Sequence, residues 1–385
     1  MIENIKNAPV YLAACDTYDV NTVYGILRDS FANLGITDEL IRGKKVLLKP
    51  NLVLAKKPEF GATSHPLFIE ACAKLICEMG AAALTLADSP GGPFNAAALA
   101  NVYRVCEMNS ISCDMLKLND DFTWSSVRTN GNRLKNMHVI NAVMEAEVII
   151  DLCKLKTHSL TGLSGATKNL FGIIPGVEKF EMHSTFPEIM SFSEMLVDLS
   201  SYVLENKTFV AICDALISME GNGPTHGTPK KTELVLVSRS PYALDVVGEH
   251  VMKNDGNVKM LDFAAERGFV NRNWQDIDVR GLTDIPQFDF AQPDSVSFLG
   301  NLSGIMGGRI AKMFEAKPAI NLKKCIGCGK CAESCPRHTI EIKKKRGKKL
   351  AVIHRSDCIK CYCCQELCPI GAVDVKQNII IKLIH

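Results

Sequence analysis

EVIIDLCKLKTHSLTGLSGATKNLFGIIPG, residues 147–176, decides the fold. Its first part carries the apolar run VIIDLC and reads as one long strand, 147–158. Set among alternating helices and strands, such a strand argues an α/β domain with a largely parallel sheet. Its second part mixes Lys156, His158 and Lys168 with glycines, hydroxyls and Pro175. That is poor material for the interior of a helix or strand and good material for a site.

The same alternation runs outward in both directions. KVLLKPN (45–51) reads as a short strand, HPLFIEACAKLICEMGA (65–81) as a helix stopping at Gly80, and ALTLAD (83–88) as a strand. Beyond the central stretch come the helix SFSEMLVDLSSYVLEN (191–206), the strand FVAICDALISMEG (209–221), and the pair TELVLVSRS and YALDVVGEHVMK (232–253). Strands alternating with helices predict a large α/β domain, residues 1–303, around a mostly parallel sheet. The Gly- and Lys-containing stretch 304–318 reads as a linker into a small α+β domain, 319–385.

Ligands of open α/β sheets sit off the carboxyl ends of the strands. Those ends carry Lys49 and Asn51; Asp88, Ser89, Gly91 and Gly92; Lys154, Lys156 and His158; and Asp214, Glu220, Asn222 and His226. Each group has a plain structural reading: KPN as a turn, DSPGG as a helix cap, Asp214 and Glu220 as structural carboxylates, His226 as a loop histidine. Together they would converge on one crevice. Lys154 and Lys156 share a strand face by period two. With Lys168 and the nearby glycines they suit an anionic group, carboxylate or phosphate, and His158 is placed to handle a proton. Neither a GxGxxG nor a GxxxxGK[ST] phosphate loop is present.

Composition bounds the rest. The chain has 385 residues, 47% hydrophobic and 22% charged, and a formal net charge of +2, which gives no global argument for nucleic acid or an anionic membrane. No apolar run is long enough for a membrane span, and the start lacks a secretory pattern; a cytoplasmic chain is expected. Sixteen cysteines are the exception. Seven are scattered in apolar surroundings, as buried free thiols of a reducing compartment would be. The other nine lie between Cys325 and Cys368.

Those nine fall in two runs, CIGCGKCAESCP (325–336) and CIKCYCCQELCP (358–369). Each spaces its cysteines x2, x2, x3 and ends in proline. In that arrangement the fourth cysteine of each run ligates the other cluster. Cys325, Cys328, Cys331 and Cys368 would hold one [4Fe–4S] cluster, and Cys358, Cys361, Cys364 and Cys335 the second. Cys363 is surplus and reads as a non-ligand. Zinc ribbons use pairs of cysteines, not such rows. Between the runs, TIEIKKKRGKKLAVIH predicts a β-hairpin whose basic residues read either as a solvated face or as steering for an acidic electron donor.

The tail resembles the bacterial two-cluster ferredoxin with every motif position filled. The runs LLKPN, ADSPGG, DLCKLKTHSLTGLSGATKNLFGIIPGVEKFEMH and MEGNGPTHG resemble a large domain-of-unknown-function family often fused to such modules, described as iron–sulfur proteins of anaerobes. A more distant similarity, through His158, Lys168, Pro175-Gly176 and His183, is to the lactate racemases with their nickel-pincer nucleotide. That resemblance implies proton transfer by His158, a cofactor tether at Lys168 and a metal-binding His183. Ala166, Thr167 and Asn169 depart from the pattern, and the arginine that would bind a hydroxy acid is missing.

Three functions follow as expectations. The first is an oxidoreductase passing low-potential electrons from two clusters to a substrate or cofactor held by Lys49, Asn51, Asp88, Ser89, Lys154, Lys156 and Asn169, with His158, Lys168 and His183 as catalytic candidates. The second is an electron-transfer subunit that docks a partner enzyme. The third is a pincer-type isomerase. A further cofactor in the α/β domain stays open. The expected partners are a ferredoxin- or flavodoxin-like protein and an anionic small molecule, not nucleic acid or membrane.

Overall fold

The computed structural model describes residues 5–6, 8–295, 316–345 and 347–376. In chain order the strands of the large domain are β1 (Val10–Ala14), β2 (Lys45–Pro50), β3 (Ala83–Leu86), β4 (Leu116–Leu118), β5 (Trp124–Arg128), β6 (Asn136–Ile140), β7 (Val148–His158), β8 (Gly162–Ser164), β9 (Thr208–Glu220), β10 (Thr228–Ser238) and β11 (Val279–Gly281). Nine of them build one sheet in the order β11-β1-β10-β9-β7-β2-β3-β4, with β8 folded back on β7. β5 and β6 form a separate hairpin.

The run β9-β7-β2-β3-β4 is parallel throughout. β7 lies at its centre with all eleven residues buried, as the sequence of a strand covered on both faces requires. β10 runs antiparallel to β9 and to β1. The sheet is therefore mixed, though mostly parallel, as expected.

Helices α1 (Val20–Asn33), α2 (Pro66–Glu78) and α3 (Ala96–Val105) lie on one face, where Val23, Leu27, Phe68, Ile76 and Leu99 join a core with Val46, Leu48 and Ile150. After the short α4 (Asn141–Glu145), α5 (Ala166–Asn169) and α6 (Glu178–Thr185) come α7 (Ile189–Asn206), α8 (Pro241–Val251) and α9 (Lys259–Glu266). These last three pack on the other face, with Phe192, Leu196, Tyr242 and Leu261 against Ile149 and Leu236. Local chemistry starts several of these helices: Asp19 accepts from the Thr22 N–H, Asn95 from Ala98, and Ser240 from Ala243 with Pro241 next in line.

Residues 304–315 of the expected linker lie outside the described residues, and Lys317 and Pro318 already form strand. The small domain contains β12 (Lys317–Ile320), α10 (Lys330–Glu333), β13 (Ile340–Lys345), β14 (Lys348–Ile353), α11 (Cys363–Glu366) and β15 (Val373–Lys376). β12 pairs antiparallel with β15, and β13 with β14 as the expected hairpin. Among the described residues no helix is long and apolar enough to cross a membrane. Of the seven scattered cysteines five are buried; Cys77 and Cys113 are half-buried, with their Sγ atoms 3.6 Å apart.

Candidate functional site

The carboxyl ends of β2, β3 and β7 meet at one cavity, about 630 Å³ including its open mouth. Its polar wall is made by Asp88, Ser89, Lys156, His158, Lys168 and Lys179. Phe171, Phe180 and Val53 supply apolar surface, and Asn51 and Asn169 lie at the base. The remaining wall comes from the cysteine module: Cys363, Glu366 and Leu367 close the cavity from the far side.

One acid holds the loop after β7 in place, and a second holds the end of β2 beside it. Asp245 of α8 accepts from the N–H groups of Ala166 (2.6 Å) and Thr167 (2.8 Å), capping the turn that carries Lys168. Gly165 permits this approach, since a Cβ there would stand 2.0 Å from Asp245 Oδ1. Asp88 accepts from Leu52 N–H at 2.7 Å and pairs with Lys49 Nζ at 3.1 Å. Gly172 lies against it for the same reason, a Cβ there being 2.0 Å from Asp88 Oδ1.

The lysines divide by partner. Lys154 is locked in a buried pair with Asp214 at 3.0 Å, and the Tyr18 hydroxyl also donates to that carboxylate at 2.9 Å. It does not border the cavity. The ladder between β7 and β9 is irregular between Lys154 and Lys156, so their shared spacing does not give them a shared role. Lys49 likewise acts through Asp88 and not at the wall. Lys156 forms no ion pair among the described residues; it donates to Asn51 Oδ1 at 3.0 Å and to the Ala62 carbonyl at 2.7 Å. Burial, helped by Lys154, pulls its pKa down to about 7. Lys179 donates to the Ser89 carbonyl, and burial brings it to about 7 as well. Lys168 is half-buried, with Nζ 4.6 Å from the Phe171 ring centre and 6.0 Å from that of Phe192. Among the described residues it has no anionic partner within hydrogen-bonding distance.

His158 differs from its expected role. Its Nδ1 accepts from the N–H of Leu160 at 3.0 Å and of Thr161 at 3.4 Å. Burial, then Lys168, pushes its pKa well below the ordinary range. The ring is therefore neutral, with its proton on Nε2, and that atom has no partner among the described residues. It offers a hydrogen bond; it has no free lone pair with which to take a proton. His183 stacks on Phe192 at 4.3 Å and is held neutral by burial, near pKa 3. Below the cavity Asp151, raised to about 8 by burial, accepts from Asn169 at 2.8 Å. Asn169 in turn accepts from Asn51 at 2.9 Å.

Of the other expected residues, Asp214 anchors Lys154, Glu220 pairs with Lys230 at 2.7 Å, and Asn222 and His226 meet the cysteine module. The reading of the sequence missed Asp245 and Glu366, which reach the site from distant segments, and Phe171, Phe180 and Phe192, whose apolar character marked them as core.

In the small domain Cys325, Cys328, Cys331 and Cys368 surround one cavity of about 320 Å³. Cys335, Cys358, Cys361 and Cys364 surround another of the same size. Among the described residues no group of three or more His, Cys, Asp or Glu side chains converges as a single ion would require. Four thiols around one such opening, whose volume includes its open mouth, instead fit the ligand set of a cubane. Backbone N–H groups already point at the sulfurs, Ala372 to Cys368 at 3.1 Å and Thr339 to Cys335 at 3.3 Å.

Fold and site together define an α/β protein joined to a ferredoxin-type iron–sulfur module. Residues 46–250, more than half of the chain, match the family described as "Domain of unknown function (DUF362)", and the chain belongs to that family. Residues 324–372 match a "4Fe-4S dicluster domain". The chain is 29% identical over 252 residues, 64% of its own length and 75% of the relative's, to the "Thylakoid-associated protein sll1697" of Synechocystis sp.. Among solved structures it is similar to a Thermotoga maritima protein (12% identity, TM-score 0.39, 66% of this chain and 60% of that one). It is also similar to the lactate racemase apoprotein of Thermoanaerobacterium thermosaccharolyticum (11%, 0.42, 66% and 59%). The chain thus spans about 60% of the length of either structure, and at that distance no residue role carries across.

Proposed function

We propose that this chain is an iron–sulfur oxidoreductase, in which two [4Fe–4S] clusters in the small domain pass electrons to an anionic small molecule bound in the crevice of the large one. One observation carries the reading: a single cavity is walled both by Lys156, His158, Lys168 and Lys179 and by Cys363, Glu366 and Leu367, which alternate with the ligand cysteines Cys361, Cys364 and Cys368. The clusters supply one low-potential electron at a time.

The chain's own residues do the rest. Lys168, which forms no ion pair among the described residues, attracts the ligand's charge, and Lys156 and Lys179 add to it when protonated. His158 Nε2–H donates to an acceptor oxygen of the ligand, and such a fixed donor stabilises negative charge that grows as an electron arrives. Leu367, Phe180 and Val53 exclude water, which strengthens each of these interactions.

The test uses anaerobic protein with reduced clusters, freed of excess reductant and offered small carboxylates, phosphates and carbonyl acids. A ligand of the right class should restore the oxidised cluster absorbance. Lys168→Ala and His158→Ala should keep the clusters and lose that response. Reoxidation at the wild-type rate in both variants removes the crevice from the chemistry.

A second reading is favoured by Lys168 itself, an amine held half-buried that forms no ion pair among the described residues although Glu366 lines the same cavity. There the crevice carries its own cofactor, tethered at Lys168. An intact-mass increment on the natively purified chain, absent in Lys168→Ala, would establish it.

A further inference from the structure

We infer that the face of the cysteine module around Cys328 is the docking site for an acidic one-electron carrier protein, and that electrons enter the chain there. This rests on the clusters carrying electrons to the crevice, and it assigns each cluster its end of the route.

The two cysteine quartets differ at one member: Cys331 and Cys368 of the first are buried like Cys364 of the second, but the first also holds the exposed Cys328. Tyr362, Cys363 and Cys364 of the second run are buried, and the large domain meets the residues that directly follow them. The Thr225 hydroxyl donates to the Glu366 carbonyl and Gln365 Nε2 to the Asn222 carbonyl, both at 2.8 Å. The first run opens outward at its second cysteine. Cys328 is the one exposed cysteine of the sixteen. Ile326 and Ile370, which border the cavity of that quartet, are 63% and 41% exposed, and Leu322 beside them is 57% exposed. These are the only large hydrophobic residues of the small domain that stand so far into solvent among the described residues.

A basic rim surrounds this apolar centre. Lys323 and Lys324 are exposed directly between Leu322 and Cys325. The hairpin β13–β14 packs onto the same loop: Ala351 N–H points at Cys325 Sγ at 3.5 Å, and a Cβ on Gly327 would stand 2.5 Å from the Lys349 carbonyl oxygen. That contact brings the exposed Lys348 and Lys349 to the rim. Lys323, Lys324, Lys348 and Lys349 have no ion-pair partner among the described residues. The nearest carboxylate on α10, Glu333, is already paired with Lys330 at 2.8 Å.

An apolar patch over a redox centre, ringed by unpaired lysines, complements a protein whose own centre lies under an apolar patch ringed by acids. Such contacts are small and transient, and their charge complementarity governs encounter rate and salt dependence more than affinity. The exchange is one electron: the carrier is oxidised by one, the cluster nearest Cys328 is reduced by one, and no bond or proton moves.

The experiment is stopped-flow reduction of the full, cluster-loaded chain by a photoreduced acidic [2Fe–2S] ferredoxin, with dithionite as a small reductant needing no docking face. The wild-type second-order rate should fall as salt rises. Ile326→Glu, and the double variant Lys324→Glu/Lys349→Glu, should lower the ferredoxin rate by about ten-fold at low salt. Both should keep the wild-type iron content and dithionite rate. Lys117→Glu, on the far edge of the sheet, should change nothing. The inference is overturned if ferredoxin fails to reduce a chain that dithionite reduces, if the face variants keep the wild-type rate, or if Lys117→Glu slows reduction equally. Reduction is read before any ligand is added, so this result stands apart from the crevice test.

Discussion

Lys156 occupies a place where an amine holds its proton poorly. With Lys179 it titrates near pH 7 because burial strips water from the charged form. Below that pH both are ammonium groups and above it both are neutral. Anion affinity of the crevice should therefore be greatest on the acid side and fall as pH rises through about 7. Calorimetric titration with phosphate or a small carboxylate reads this; Lys156→Met should shrink the pH dependence, and the double variant with Lys179→Met should flatten it. The unfolded chain keeps these protons to about pH 10. Between 7 and 10 it binds more protons than the folded one, so global stability should rise with pH across that window. Cys363 is a second residue with a defined consequence. Its thiol stands beside Cys361, two residues away, where it can donate to that sulfur, and a hydrogen bond to a cluster ligand favours the reduced, more negative state. Cys363→Ala should leave iron and sulfide content unchanged and lower the midpoint potential of one cluster, read by EPR-monitored titration. An unchanged potential would make the thiol a packing group.

At the scale of elements, the loop after β7 stays where it is because α8 holds it. Asp245→Ala removes the cap on the Ala166 and Thr167 N–H groups and should cost about 1–2 kcal/mol in urea unfolding. It should weaken anion binding as well, since Lys168 rides on that turn. Asp214→Ala leaves Lys154 charged and buried without a partner, and should cost about 3–5 kcal/mol. The elements themselves were legible to different degrees. β2, β7 and β9 announce themselves because burial on both faces forces an apolar run. β1 and α1 do not: β1 is five residues long and gains its place by pairing with β10, more than 200 residues away. The spacing of Lys154 and Lys156 suggested one role for two amines. The ladder irregularity between them, which depends on β9, cannot be seen within one strand.

For the molecule as a whole, the crevice is a joint property of two domains. Sequence order placed the strand ends and the cysteine runs far apart, and neither pattern indicates that Cys363, Glu366 and Leu367 face Lys168. The cysteine spacing was legible because cluster ligation constrains local sequence. The interface was not, because it rests on ordinary residues such as Thr225 and Gln365. Replacing them, Thr225→Val with Gln365→Leu, removes two hydrogen bonds worth about 1 kcal/mol each. Cluster potentials should stay fixed while reoxidation by a crevice ligand slows, and faster proteolysis between the domains would report the loosened contact.

Cys335 belongs to the first run yet borders the cavity of the second, and Cys368 does the reverse. Neither repeat can complete a metal centre from its own thiols, so assembly at one is bound up with folding of the other. Metallation should consequently be all-or-none: native mass spectra of partly reconstituted protein would divide into empty and fully loaded molecules, with half-loaded species scarce.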